Sequence, residues 1–107
     1  MSGSLRIDKW LWHARLAKTR SLAARLCEAG LVELAGRIVT KPNQAVRVGA
    51  LLTVVQGRHR RRVAVLGLGT RRGPAAEAQL LYRETAAPIR LTPVDPGWTA
   101  LLTEDED

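Results

Sequence analysis

Lys18-Thr19-Arg20-Ser21 places two cations and two hydroxyls in four consecutive residues. Thr is a favoured helix N-cap, so the same four residues would open a helix whose first N–H groups have no partner within it. Ammonium, guanidinium, hydroxyl and helix N-terminus all suit one kind of ligand, a phosphate oxygen. Upstream, Arg6, Lys9 and Arg15 lie in and around Arg6-Ile7-Asp8-Lys9-Trp10-Leu11-Trp12. Downstream, Arg25 stands four residues after Ser21, which puts both on one helix face. Each cation alone would be an ordinary solvated group; together they describe a surface made to meet a polyanion. Asp8, in their midst, is read as a helix cap and arginine partner, not as a catalytic acid.

Other chemistries lack their residues. His13, His59 and Cys27 have no metal-ligand spacing, and Ser21 has no His and acid arranged for nucleophilic attack. Glu77 and Glu84 read as surface carboxylates. Gly67-Leu68-Gly69-Thr70-Arg71-Arg72-Gly73 has the wrong glycine spacing for a dinucleotide fingerprint. No cofactor, metal or small-molecule substrate is expected, and the chain reads as a binding protein rather than an enzyme. Arg58-His59-Arg60-Arg61-Arg62 has two readings, a solvated hairpin tip or a second, mobile phosphate anchor. Trp12 also has two, a staple onto Ile7 or a ring for base stacking. Trp98 could fold back on the domain or meet a partner.

The charge distribution agrees with a polyanion partner. The 107 residues carry a formal charge of +7. Residues 1–92 hold all 17 cations against five acids, a balance of +12, and 93–107 hold five acids and no base. Such a field attracts nucleic acid through counterion release. Fourteen of the cations are Arg, the side chain that forks onto phosphate and stacks on bases. A lone cysteine, no signal-like leader and no apolar run near ~20 residues give no membrane contact and a cytoplasmic location as the default.

The elements that must position these groups follow from pattern. Asp8 as N-cap starts a helix to about Ala17, with Trp10, Leu11, Ala14 and Ala17 on its apolar face and Lys9 and His13 elsewhere. Thr19 caps a second helix over 20–29, apolar through Leu22, Ala23, Leu26 and Ala29, with Cys27 a small packing residue and Gly30 closing it. Residues 31–34 and 37–40 flank Ala35-Gly36, a two-residue hairpin turn. Lys41-Pro42-Asn43-Gln44 is a loop. Residues 51–56 and 62–66 are strands joined by a 57–61 loop. Pro74 at N1 opens a short helix to about Tyr82.

Two helices, a Gly30 break, a Gly36 hairpin and a Lys41-Pro42 loop resemble the S4 RNA-binding domain. Arg6 to Trp12, Lys18-Thr19-Arg20, Leu52-Thr53, Gln56-Gly57 and the series Pro74-Ala75, Glu77-Ala78, Leu80-Leu81-Tyr82, Glu84-Thr85-Ala86 are more closely similar to the small ribosome-associated bacterial heat-shock proteins of S4 type. The resemblance implies an α+β, S4-like (alpha-L) module over 6–87: two packed helices, a small antiparallel sheet and a short C-terminal helix. A disordered start at 1–5 and a Pro-containing acidic tail at 88–107 would flank it. It also implies binding to structured ribosomal RNA on a free large ribosomal subunit carrying peptidyl-tRNA, in ribosome rescue and the heat-shock response. A general RNA- or DNA-binding module, and a separate-chain targeting subunit for an RNA-modifying enzyme, are the alternatives. The family's RNA-facing positions fall here on Arg6, Lys9, Arg15, Lys18, Thr19, Arg20, Ser21, Arg25, Arg37, Lys41 and Asn43. The family often ends in a longer, basic helical extension, where this sequence is acidic.

Overall fold

Apolar residues three and four apart bury one stripe of the first helix, α1 (Ile7–His13): Ile7, Trp10, Leu11 and, just beyond it, Ala14. In the computed structural model, which describes residues 3–91, this stripe packs on the second helix, α2 (Arg20–Glu28), through Ala23, Leu26 and Cys27. The α2 start is as expected: Thr19 Oγ1 accepts from Leu22 N at 2.9 Å. Cys27 is fully buried. Burial, with smaller contributions from the charges of Asp8 and Glu28, pushes its thiol from 9.0 up to about 12. Thiolate is the reactive form, so the folded protein should react with Ellman's reagent at pH 8 at least about a hundredfold more slowly than the urea-unfolded chain. Equal rates would show that Cys27 is accessible.

The strands are β1 (Ser4–Arg6), β2 (Val32–Leu34), β3 (Arg37–Ile38), β4 (Ala45–Arg47), β5 (Leu51–Gln56), β6 (His59–Val65), β7 (Tyr82–Glu84) and β8 (Ile89–Arg90). β1 and β4 form a two-stranded antiparallel pair. The others form one antiparallel sheet in the order β3-β2-β5-β6-β7, with β8 pairing the other end of β6. Val32, Leu52, Val54, Val63 and Val65 of this sheet complete the core under the helices. Leu34 pairs with Arg37, and Ala35 and Gly36 both take positive φ (52° and 83°), as a primed two-residue turn requires. A short helix, α3 (Ala75–Ala78), runs into a 3-10 turn at Gln79–Leu81. The fold is thus the expected α+β arrangement.

Several expectations need correction. Ser4 and Leu5, within the 1–5 start expected to be disordered, form a strand with Arg6, held by the backbone of Ala45–Arg47. α1 ends at His13, not near Ala17, because Arg15 turns into the left-handed region at φ 60°. Arg15 N bonds Trp12 O and Leu16 N bonds Leu11 O, the same paired closure that Gly30 makes at the end of α2. Pro74 precedes α3 as its N-cap, and Tyr82 belongs to a strand. Ala29 is exposed and His13 buried, the reverse of the helical-wheel reading. β6 begins at His59, so the loop expected over 57–61 shrinks to Gly57 and Arg58. Of the region expected as a tail, Ile89 and Arg90 pair with β6, and Leu91 is buried against Val55. Trp98 and the acidic segment lie outside the described residues.

Candidate nucleic-acid interface

Three side chains of the α1 region reach one loop. Trp10 Nε1 donates to Gly67 O at 2.7 Å, His13 Nδ1 lies 3.0 Å from Leu68 O, and Arg15 Nε donates to Gly73 O at 2.7 Å. The glycine-containing 67–73 segment is therefore a strap across α1. For the buried Trp10 and His13 its carbonyls supply partners whose loss would be costly. Gln56 Nε2 donates to Arg15 O at 3.0 Å, which holds the strained turn from the sheet side.

At the other end of α1, Ile7 N donates to Gln44 O at 2.8 Å and Asp8 N to Pro42 O at 3.2 Å. These carbonyls do the work of an N-cap, and the capping residue is Arg6, with no side-chain cap bond. Asp8 is instead in the first turn, and its capping role is corrected. Its pairing with arginine is observed. Asp8 is 3% exposed. Oδ1 accepts from Arg6 Nε at 3.1 Å and from Lys9 N at 2.8 Å. Oδ2 lies 3.0 Å from Arg6 Nη2 and 3.8 Å from Arg20 Nη2. One buried carboxylate thus gathers arginines from β1 and from the first residue of α2. Their side chains remain 52% and 44% exposed, so charge fixed from beneath still faces solvent.

The other sequence-selected residues are spread over α1, α2, the 41–44 loop and β3. Lys41 and Asn43 are exposed on the loop whose carbonyls hold the start of α1. Lys9 is half-buried on α1, and Lys18, Thr19, Ser21 and Arg25 are exposed on α2 and its approach. Arg37 is exposed on the edge strand β3, whose Ile38 lies beside Gly30 at the end of α2. Arg15 and Lys18 meet instead around a groove with Arg72 and with Arg58, the first residue of the run read as a solvated tip or a phosphate anchor; neither is among the eleven RNA-facing positions. Their approach depends on the β5–β6 turn and the strap folding back on α1, and no local motif signals it.

The Arg58–Arg62 run does not act as one unit. Arg58 is in the turn, and from His59 onward the run lies in β6, where side chains alternate. Arg61 is turned inward to Gln56 Oε1, Tyr82 OH at 3.2 Å and Glu84 Oε1 at 2.6 Å. Burial works against its charge, but the bonds to Glu84 and Tyr82 outweigh it and raise the pKa. The mobile-anchor reading therefore fails for Arg61. Trp12, half-buried, has Arg72 6.0 Å above its ring and His13 beside it. Among the described residues no cluster of three or more His, Cys, Asp or Glu could hold a metal ion, and no helix is long and apolar enough to cross a membrane.

The fold and its Asp8-centred arginines can be set against known proteins. The S4 domain model matches residues 5–52, a span that contains all eleven candidate positions from Arg6 to Asn43. The chain is 49% identical over 86 residues to heat shock protein 15 homolog of Aeromonas salmonicida, covering 80% of this chain and 64% of that protein. It is 46% identical over 85 residues to heat shock protein 15 of Escherichia coli K12, covering 79% and 63%. The trimeric structure of Vibrio cholerae heat shock protein 15 superposes with a TM-score of 0.73 at 44% identity, covering 78% of this chain and 83% of that one. This chain belongs to the heat shock protein 15 family of S4-domain proteins. It spans less than two thirds of the length of the Aeromonas and E. coli relatives. The 67–73 strap lies beyond the part covered by the S4 model, and the groove straddles its edge, with Arg15 to Leu26 inside it and Val55 to His59 and Arg72 outside.

Proposed function

We propose that this chain is a non-enzymatic RNA-binding protein that recognises structured ribosomal RNA by shape and phosphates. Its target on this reading is the free large ribosomal subunit still carrying peptidyl-tRNA, in ribosome rescue during heat stress, and its compartment is the cytoplasm. The observation that carries the reading is the pair Arg6 and Arg20, held on the buried Asp8 carboxylate while their guanidiniums stay exposed. A guanidinium positioned in advance loses less freedom when it meets a phosphate. Membership of the heat shock protein 15 family, and the position of all eleven candidates within the S4 match, support the same conclusion.

Lys9, Arg15, Lys18, Ser21, Arg25, Arg37, Lys41 and Asn43 extend this surface, and most of their contacts would go to phosphate and sugar, which set register. Thr19 Oγ1 already accepts from α2, so its hydroxyl would donate to a phosphate oxygen. Cosedimentation with purified subunits tests the target. Enrichment on large subunits bearing peptidyl-tRNA, above empty large subunits and above small subunits, is the expected result. Absence from ribosomes, with binding to unrelated RNA or DNA of equal charge, would replace it with a general nucleic-acid binder.

A further inference from the structure

Between α2 and the β5–β6 turn lies an open groove of about 420 Å³. Its floor is aliphatic: Leu16, Leu22, Leu26 and Val55. Its rim carries the cations Arg15, Lys18, Arg58 and Arg72, with His59, and among the described residues no carboxylate lines it. We propose that this groove receives one unstacked nucleotide of the bound RNA, its base against the aliphatic floor and its phosphates on the rim. The inference rests on the RNA-binding reading and adds to it a base-holding site that joins α2, inside the S4 match, to the β5–β6 turn and the strap outside it.

Three observations carry it. The volume lies in the range of small-ligand pockets, which pair an apolar lining with a few polar groups. A nucleotide has one flat, weakly polar face and one anionic end, and the groove offers a counterpart to each. Proteins that engage folded RNA commonly take bases from bulges and loops, where they are already unstacked. Second, Lys18 belongs both to this rim and to the run leading to Arg20, so the groove adjoins the Asp8-centred arginines and a backbone crossing them could deliver a base into it. Third, Arg72 lines the groove and its buried Nε has no hydrogen-bond partner among the described residues, so its guanidinium is not fully engaged by the fold. Gln56, by contrast, has both ends of its amide engaged, with Arg15 O and with Arg61. The floor is therefore expected to accept any base, with preference set by stacking area.

The test uses the full chain and three hairpin RNAs of equal charge class: one with a single bulged adenosine, one with an abasic ribose at the bulge, and one fully paired. The bulged adenosine should bind about tenfold more tightly than the abasic RNA, the size of one base–protein stacking contact. Leu22→Trp, which fills the groove from a half-buried position, should abolish that difference and leave affinity for the paired hairpin unchanged. Should the variant not fold, amide shifts in the wild-type protein decide the matter: Leu22, Val55 and Gly57 should respond to the adenosine RNA and not to the abasic one. Equal binding of all three RNAs by the wild type would overturn the groove proposal and leave RNA binding intact. No binding of any would overturn the RNA reading and the groove with it. In the RNA-free protein, Leu22→Trp shifting the amides of 92–107 would give the groove to the chain's own C-terminal segment and overturn the nucleotide proposal.

Discussion

Trp10→Ala should remove about 3–5 kcal/mol of stability, the largest loss expected from a single substitution here. Trp10 is fully buried, and its indole N–H donates to Gly67 O at 2.7 Å. Truncation opens a cavity between α1 and the sheet and also strips a partly buried carbonyl of its donor. For a domain of this size a loss of that order lowers the melting temperature by about 15 °C or more. Trp10→Phe separates the two terms. It keeps much of the ring volume and loses the hydrogen bond, so its cost should be well under half that of the alanine variant. Urea denaturation of both proteins measures the pair. A loss under about 1.5 kcal/mol for Trp10→Ala would mean that the strap, not the indole, holds α1 in place.

The double substitution Lys18→Ala, Arg20→Ala should have the largest effect on binding and little on stability. Both side chains are exposed, and the Arg20 ion pair with Asp8 is long, at 3.8 Å, so the fold loses little. Each phosphate contact contributes a slope of about −0.9 to log K against log salt. Removing two should flatten the slope by about 2 and weaken binding roughly 50-fold near 0.1 M salt, on the same relation. Affinity for a structured RNA measured from 0.05 to 0.3 M salt reads both quantities. An unchanged slope would remove Lys18 and Arg20 from the phosphate-binding surface, even if affinity fell for another reason. Because the groove is read by the difference between adenosine and abasic RNAs, and this surface by the salt slope, the two assignments can fail separately.

Much of this fold is written in local sequence, and the boundary is physical. Thr19 as cap, Gly30 as the close of α2, the Ala35-Gly36 turn and the limits of Leu51–Gln56 each depend on residues within a few positions. Capping, positive φ and period-two burial are short-range effects, so residue types report them directly. The abundance of Arg and the charge asymmetry are likewise properties of composition, and they suffice to name a polyanion.

Tertiary structure decided what depends on distant partners. Arg15 adopts a left-handed backbone that its residue type disfavours, because Gln56 and Gly73 hold it from other parts of the chain. Asp8 is not the N-cap residue because Pro42 and Gln44 accept from Asp8 N and Ile7 N at the start of α1; its Oδ1 still takes Lys9 N, and the carboxylate joins Arg6 to Arg20. Arg61, one cation in a uniform run, turns inward because a β-strand alternates its faces and Glu84 waits on the neighbouring strand. The groove needs α2, the β5–β6 turn and the 67–73 strap in place at once. Sequence determined that this protein carries the charges to hold a polyanion; only the folded chain determined which are held ready at the surface, which are spent inside, and where an aliphatic floor opens beside them.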